Sequence, residues 1–186
     1  MIAGWGHASD LLPDGGFDAG IGGWHLVGRG MIAHGADGAT TPGSLHIEGG
    51  LAGNSTQAIV GYCLASLPPD QDLEFAFKAK IVSGTPAFCR LALFESERSN
   101  CLWLELGAEA RRTLFLADWN SMIHWHLLTS GATRSVEVRL HCGTAEGETG
   151  PLEVLFDDVD ITTSSGLIFA DDLESGNTAR WSNTVP

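Results

Sequence analysis

Leu11-Leu12-Pro13-Asp14-Gly15-Gly16-Phe17-Asp18-Ala19-Gly20-Ile21-Gly22-Gly23-Trp24 is a Gly-rich bend carrying an aromatic–acid pair, and it opens the chain. Near the other end stands Leu155-Phe156-Asp157-Asp158-Val159-Asp160-Ile161, an apolar strand with paired carboxylates. Between them the dominant period is two. Leu73, Phe75, Phe77, Ala79 and Ile81 alternate with Asp72, Glu74, Ala76, Lys78 and Lys80, which predicts a strand with one buried and one solvated face. Further short strands are predicted at Ser44–Glu48, Thr56–Leu64, Cys89–Glu95, Leu102–Leu106, Thr113–Trp119, Ile123–Leu128, Ser135–Cys142 and Leu152–Ile161. Pro68-Pro69-Asp70 and Gly or Ser/Asn breaks separate them. Ala108–Arg112 reads as a helical turn or as part of a hairpin. Eight or nine antiparallel strands make an all-β sandwich or jelly roll.

Composition supports this reading. The chain has 186 residues, enough for one well-cored domain and a short appendage. Its 24 glycines and scarcity of lysine suit many turns joining short strands. A formal net charge of −13 argues against nucleic acid or an anionic membrane surface as partner. No apolar run approaches a membrane span. Met1–Asp10 has no charged-then-apolar leader, so a signal peptide is expected to be absent or already removed. The residue patterns of a Gly-x-Ser-x-Gly elbow, a His-Glu-x-x-His helix and a Walker-type loop are all missing, and acidic pairs are too numerous to single out a glycosidase pair.

The opening and closing stretches together resemble the first and last strands of jelly-roll β-sandwiches used as carbohydrate-binding modules and galactose-binding-like domains. The resemblance covers roughly residues 11–162 and implies an antiparallel jelly-roll sandwich over 11–163 with those two strands side by side. It also implies that Asp18, after the Phe, and Asp157, on the final strand, share a structural calcium ion, with Glu48 as a weaker third donor. The alternative is that Asp18 caps a turn while Asp157 and Asp158 face solvent.

Cys63, Cys89, Cys101 and Cys142 include no C-x-x-C pair. An even count in a Gly-rich all-β chain favours disulfides and an oxidising compartment over four buried free thiols. Cys89 belongs to the inward set with Leu91 and Leu93, and Cys142 to the inward set with Val136, Val138 and Leu140. A jelly roll places these strands antiparallel and adjacent, so Cys89–Cys142 is expected and Cys63–Cys101 is left as the second pair.

If Leu102, Leu104 and Leu106 point inward, Trp103 and Glu105 point outward, and the same sheet turns out Arg90, Phe94, Glu137, Arg139 and His141. An exposed indole rimmed by Arg90, Glu105, Arg139 and His141 suits a sugar ring, whose apolar face stacks on Trp103. The competing reading is a solvated salt-bridge ladder with Trp103 packed under the 107–112 hairpin. Trp24 is expected in the core, while Tyr62 and Trp119 fit either class. His124-Trp125-His126 has the His-x-His spacing of a cupin metal site but no acid follows, so two solvent-facing histidines are expected.

The tail Ser164–Pro186 contains Ile168-Phe169-Ala170-Asp171-Asp172-Leu173-Glu174-Ser175-Gly176-Asn177-Thr178-Ala179-Arg180-Trp181-Ser182, which resembles a C-terminal segment of many secreted proteobacterial proteins. It reads as a strand that folds back on its own sandwich, giving a monomer, or as a disordered acidic extension. Taken together, the sequence points to a secreted, extracellular bacterial protein that recognises a polysaccharide or other glycan without catalysis. A structural or adhesion module contacting another protein is the runner-up, and a polysaccharide-degrading jelly roll comes third.

Overall fold

The computed structural model describes residues 11–12, 14–68, 70–102, 104–112 and 118–163, and for 105–112 and 120–126 the backbone alone. Residues 1–10, Trp103 and the tail 164–186 lie outside the described residues, and with them the expectations for a leader, the Trp103 platform and a docked tail.

The described residues form ten strands: β1 His25–Leu26, β2 Gly30–Gly35, β3 Ser44–Ala52, β4 Ser55–Leu64, β5 Asp72–Ser83, β6 Phe88–Ser96, β7 Glu105–Arg112, β8 Asn120–Leu128, β9 Ser135–Gly143 and β10 Glu153–Thr163. All pairings are antiparallel, in the order β7-β6-β9-β4-β3-β10-β5-β8, with β1 added to β4 and β2 to β3. The all-β antiparallel sandwich is therefore as expected, with two more short strands, β1 and β2.

The path curls into two layers because β3 serves both. Its first part, Leu45 to Glu48, pairs with β10 and β2, while Gly50 to Ala52 pair with β4. The corner falls at Gly49-Gly50. A Cβ on Gly50 would lie 2.6 Å from the Arg29 carbonyl carbon, so only glycine lets the β1–β2 connection pass this close.

Between the layers the alternation closes the core. β5 buries Leu73, Phe75, Phe77, Ala79 and Ile81 and leaves Glu74, Lys78 and Lys80 half-buried on the other face. With Leu45, Ile47, Phe156 and Ile161 of the same sheet these residues meet Val60, Leu91, Leu93, Val136, Val138 and Leu140 of the other. Each fully buried side chain of this size contributes roughly 1.5–3 kcal/mol of transfer free energy.

The opening stretch does run beside the last strand. The Leu11 amide donates to the Ile161 carbonyl at 2.7 Å, and the Val159 amide to the Gly15 carbonyl at 2.9 Å. Phe17 is wholly buried, its ring 6.1 Å from that of Trp24, which lies 5.4 Å from half-buried Tyr62. Trp24 is thus core, as expected.

Both disulfides join the expected partners: Cys89 with Cys142, and Cys63 with Cys101. Cys89 and Cys142 face each other across the β6–β9 ladder inside the core.

Two boundaries differ from expectation. β7 spans Glu105–Arg112, so of the two readings of Ala108–Arg112 the hairpin holds and the helical turn does not, and Leu102 lies before the strand, half exposed rather than turned inward. The cause is local: the hydroxyl of Ser96 donates to the Leu102 carbonyl, Ser135 Oγ donates to the Arg98 carbonyl at 2.5 Å and accepts from the Cys101 amide at 2.9 Å. These bonds and the disulfide hold 97–102 as a loop. Of the strand expected at Thr113–Trp119, Asp118 and Trp119 are not strand, and 113–117 lie outside the described residues.

Candidate functional site

The outer face of the β7-β6-β9-β4 layer follows from register. On β9, Val136, Val138, Leu140 and Cys142 enter the core, which leaves Glu137, Arg139 and His141 on the other side. Phe94, Ala92 and Arg90 of β6 stand opposite these three, and Cys63, Gly61 and Ile59 of β4 flank them on the other edge.

The polar groups of this strip are paired with one another. Arg90 Nε donates to His141 Nδ1 at 2.9 Å, so Nδ1 is the acceptor nitrogen of that imidazole. Phe88 meets the His141 ring edge-on at 5.0 Å, with the Arg90 guanidinium 5.6 Å from the Phe88 centroid. Arg139 Nε donates to Glu137 Oε1 at 2.5 Å, and its guanidinium lies 4.3 Å from the Phe94 centroid. Glu137 and His141 are only 6% and 5% exposed, which is unusual for charged or titratable groups on an outer sheet face.

His25, on β1, belongs to the same face and was not singled out from sequence. A Cβ on Gly61 would lie 3.0 Å from His25 Nε2 and 3.1 Å from Glu137 Oε1, so the missing side chain is what lets both close over β4. The available signal was a glycine inside an otherwise apolar strand. At one end, the 97–102 loop folds over Ser96 and Ser135, and the Cys63–Cys101 link fastens it to β4. This loop delivers the chain to Trp103, itself outside the described residues. Glu105 is the ladder partner of Glu95, and its side chain is likewise not described.

The second group of expected site residues converges on one loop, 36–43, between β2 and β3. Asp157 is completely buried; its Oδ2 accepts from the Ala39 amide at 2.6 Å and its Oδ1 from the Asp158 amide at 2.7 Å. Asp158 accepts from Thr40 Oγ1 and from Lys78 Nζ, both at 2.6 Å. Exposed Asp18 accepts from Thr41 Oγ1 at 2.6 Å. Two adjacent acids of an ideal strand would point to opposite faces. A bulge between Asp157 and Asp160, with Asp158 at a φ of 46°, turns both toward the loop. The turn cap is Asp14, not Asp18: its two oxygens accept from the Asp18 and Ala19 amides. Glu48 stands apart, opposite Glu153 at the start of β10.

Burial raises the pKa of Asp157 above its ordinary value, against the lowering effect of its backbone hydrogen bonds. For Asp158 burial pushes upward, but the hydrogen bonds from Lys78 and Thr40 and the Lys78 charge outweigh it, and the net direction is down. Among the described residues no cationic side chain reaches Asp157. A wholly buried carboxylate without a counter-charge fits a bound cation.

His124, Trp125 and His126 lie on β8, where Trp125 pairs with Phe75 and His126 with Glu74; their side chains are not described. Trp119 is half-buried, 6.0 Å from Lys80 Nζ.

No protein-family model matches the chain, and no curated protein matches it by sequence. Solved structures do. The CBM22-1 xylan-binding domain of Paenibacillus barcinonensis Xyn10C superposes with a TM-score of 0.64 at 15% identity, covering 86% of this chain and 97% of that one. TmCBM61, solved in complex with β-1,4-galactotriose, gives 0.55 at 13% identity, with 84% and 99% covered. The enzymatically active domain of bacteriophage CBA120 tailspike protein 4 gives 0.57 at 12% identity, but there the chain spans only 21% of the partner's length. At such identities the likeness establishes the fold: the β-sandwich found in carbohydrate-binding modules.

Proposed function

We propose that this chain is a non-catalytic glycan-binding module that holds its ligand on the outer face of the β7-β6-β9-β4 layer. One observation carries the reading. Two paired polar units, Arg90–His141 and Arg139–Glu137, lie side by side on a sheet face and are flanked by Phe88 and Phe94. Pre-paired donors and acceptors beside aromatic rings are what hydroxyl-rich, partly apolar sugar rings require. The proposal keeps Trp103, for sugar stacking, and Glu105 as ligand contacts on the grounds of the sequence alone. Solved sandwiches of this fold include a xylan-binding domain and a module bound to galactotriose, which supports the same ligand class.

The proposal includes a structural calcium held by Asp157 and Asp18, with carbonyl oxygens of the surrounding turns. The ion would neutralise a buried charge and tie the opening stretch to β10, taking no part in chemistry. It also includes an extracellular location, supported by the two disulfides, which persist in oxidising compartments.

A glycan array probed with the purified chain, with calcium and after chelation, tests the reading. Binding confined to one polysaccharide class is expected, and Arg139→Ala should weaken it about tenfold. An array blank under both conditions would overturn it. For the ion, calcium should raise the melting temperature of chelator-treated protein through mass action, and Asp18→Asn should reduce that gain.

A further inference from the structure

His46, Glu48 and Glu153 form a second cluster, unconnected with the glycan face. His46 and Glu48 are two apart on β3 and so share one side of that strand; Glu153 is the direct ladder partner of Glu48 on β10. One ligand atom from each can be chosen so that all lie within 4.8 Å of one another. All three residues are half-buried.

This cluster carries an unresolved electrostatic cost. Two like charges directly opposite on a ladder destabilise it. On the same side of the sheet other acids have cations: Lys78 pairs with Asp158 at 2.6 Å and Lys80 with Asp37 at 2.5 Å. Glu48 and Glu153 have no ion pair or hydrogen bond among the described residues. His46 Nε2 is inaccessible and also has no hydrogen-bond partner. An imidazole and two carboxylates without counter-charges, close enough for one atom of each to reach a common point, are the donor types of a metal site.

We propose that His46, Glu48 and Glu153 bind a divalent transition-metal ion of the zinc class. One imidazole nitrogen and two carboxylate oxygens suit zinc, leaving the remaining position to water. Calcium, which takes six to eight oxygens, is disfavoured by the imidazole. The site is distinct from Asp157, which lies four residues further along β10, on the order of 13 Å away. Its position gives it a structural role. β3 leaves for the other layer at Gly49-Gly50, immediately after Glu48, and the Gly49 amide already donates to the Leu152 carbonyl at 2.7 Å. The ion staples this corner to the start of β10.

The test uses the full chain after chelation, titrated with zinc chloride and followed by calorimetry and thermal melting. One equivalent is expected to bind and raise the melting temperature. His46→Asn and Glu153→Gln should each weaken zinc at least about tenfold, whereas Asp157→Asn leaves zinc affinity unchanged. Glu48→Gln guards against misfolding as an explanation. Without metal it should melt at or above wild type, because the like-charge contact is gone, yet it should lose the zinc-dependent gain. Cobalt substitution should give visible d–d bands that vanish in His46→Asn. Equal zinc affinity in wild type, His46→Asn and Glu153→Gln would overturn the proposal, as would a calcium-only response.

Discussion

Asp157→Ala should loosen the 36–43 loop and destabilise the whole sandwich. The substitution removes two hydrogen bonds to a charged acceptor, from the Ala39 amide at 2.6 Å and the Asp158 amide at 2.7 Å. Hydrogen bonds to charged groups each contribute about 1.5–3 kcal/mol. Against this stands the relief of desolvation, the same effect that raises the Asp157 pKa. The net loss should be about 2–4 kcal/mol. Asp157→Asn keeps one acceptor but turns an NH₂ toward a donor, so roughly half that loss is expected. Urea unfolding of chelated protein measures the loss, and hydrogen exchange at the Ala39 amide localises it. The pH dependence is a separate check. A carboxyl with a raised native pKa contributes stability below its unfolded value, near 3.8, and loses it as pH rises through the native value. Asp158, with its pKa lowered, acts oppositely: its contribution is present above 3.8 and lost as pH falls through its native value. Asp157→Asn should therefore flatten the decline of stability above pH 3.8 and leave the acid limb below it. An Asp157→Ala protein within about 0.5 kcal/mol of wild type, with unchanged Ala39 exchange, would refute the reasoning.

Other expectations are more direct. Native protein should show no titratable thiol, and replacing Cys63 and Cys101 together by alanine should cost about 4 kcal/mol by the chain-entropy relation for a separation of 38 residues; recovery of free thiols would remove that link. Phe156→Ala, at a wholly buried ring 5.8 Å from Phe77, should cost about 3–5 kcal/mol in denaturant unfolding. A loss below 1 kcal/mol would mean that the two layers do not pack there as described.

Much of this architecture was legible because a strand's side-chain period is short and local. The alternation from Asp72 to Ile81 fixed which side of β5 is buried, and the same parity put Cys89 and Cys142 into the core as partners. Arg90, Phe94, Glu137, Arg139 and His141 were legible as outward for that reason. Parity misled at Leu102-Trp103-Leu104-Glu105-Leu106, which alternates as a strand does. Hydrogen bonds with nearby Ser96 and with Ser135, more than thirty residues later, instead hold its start in a loop. The bulge that turns Asp157 and Asp158 the same way depends on contacts with the 36–43 loop, more than a hundred residues earlier. The grouping of His46 and Glu48 with Glu153 is a matter of register between β3 and β10, which no local pattern reveals.

Affinity electrophoresis of Glu137→Ala/Arg139→Ala beside wild type, in gels cast with the polysaccharide selected on the array, tests the central claim most directly. Removing both partners together avoids leaving one buried charge unpaired. Wild type should be retarded by the polysaccharide, and the double variant should bind about tenfold to a hundredfold more weakly, with unfolding still cooperative. Equal retardation of the two proteins would place the glycan site elsewhere on the molecule.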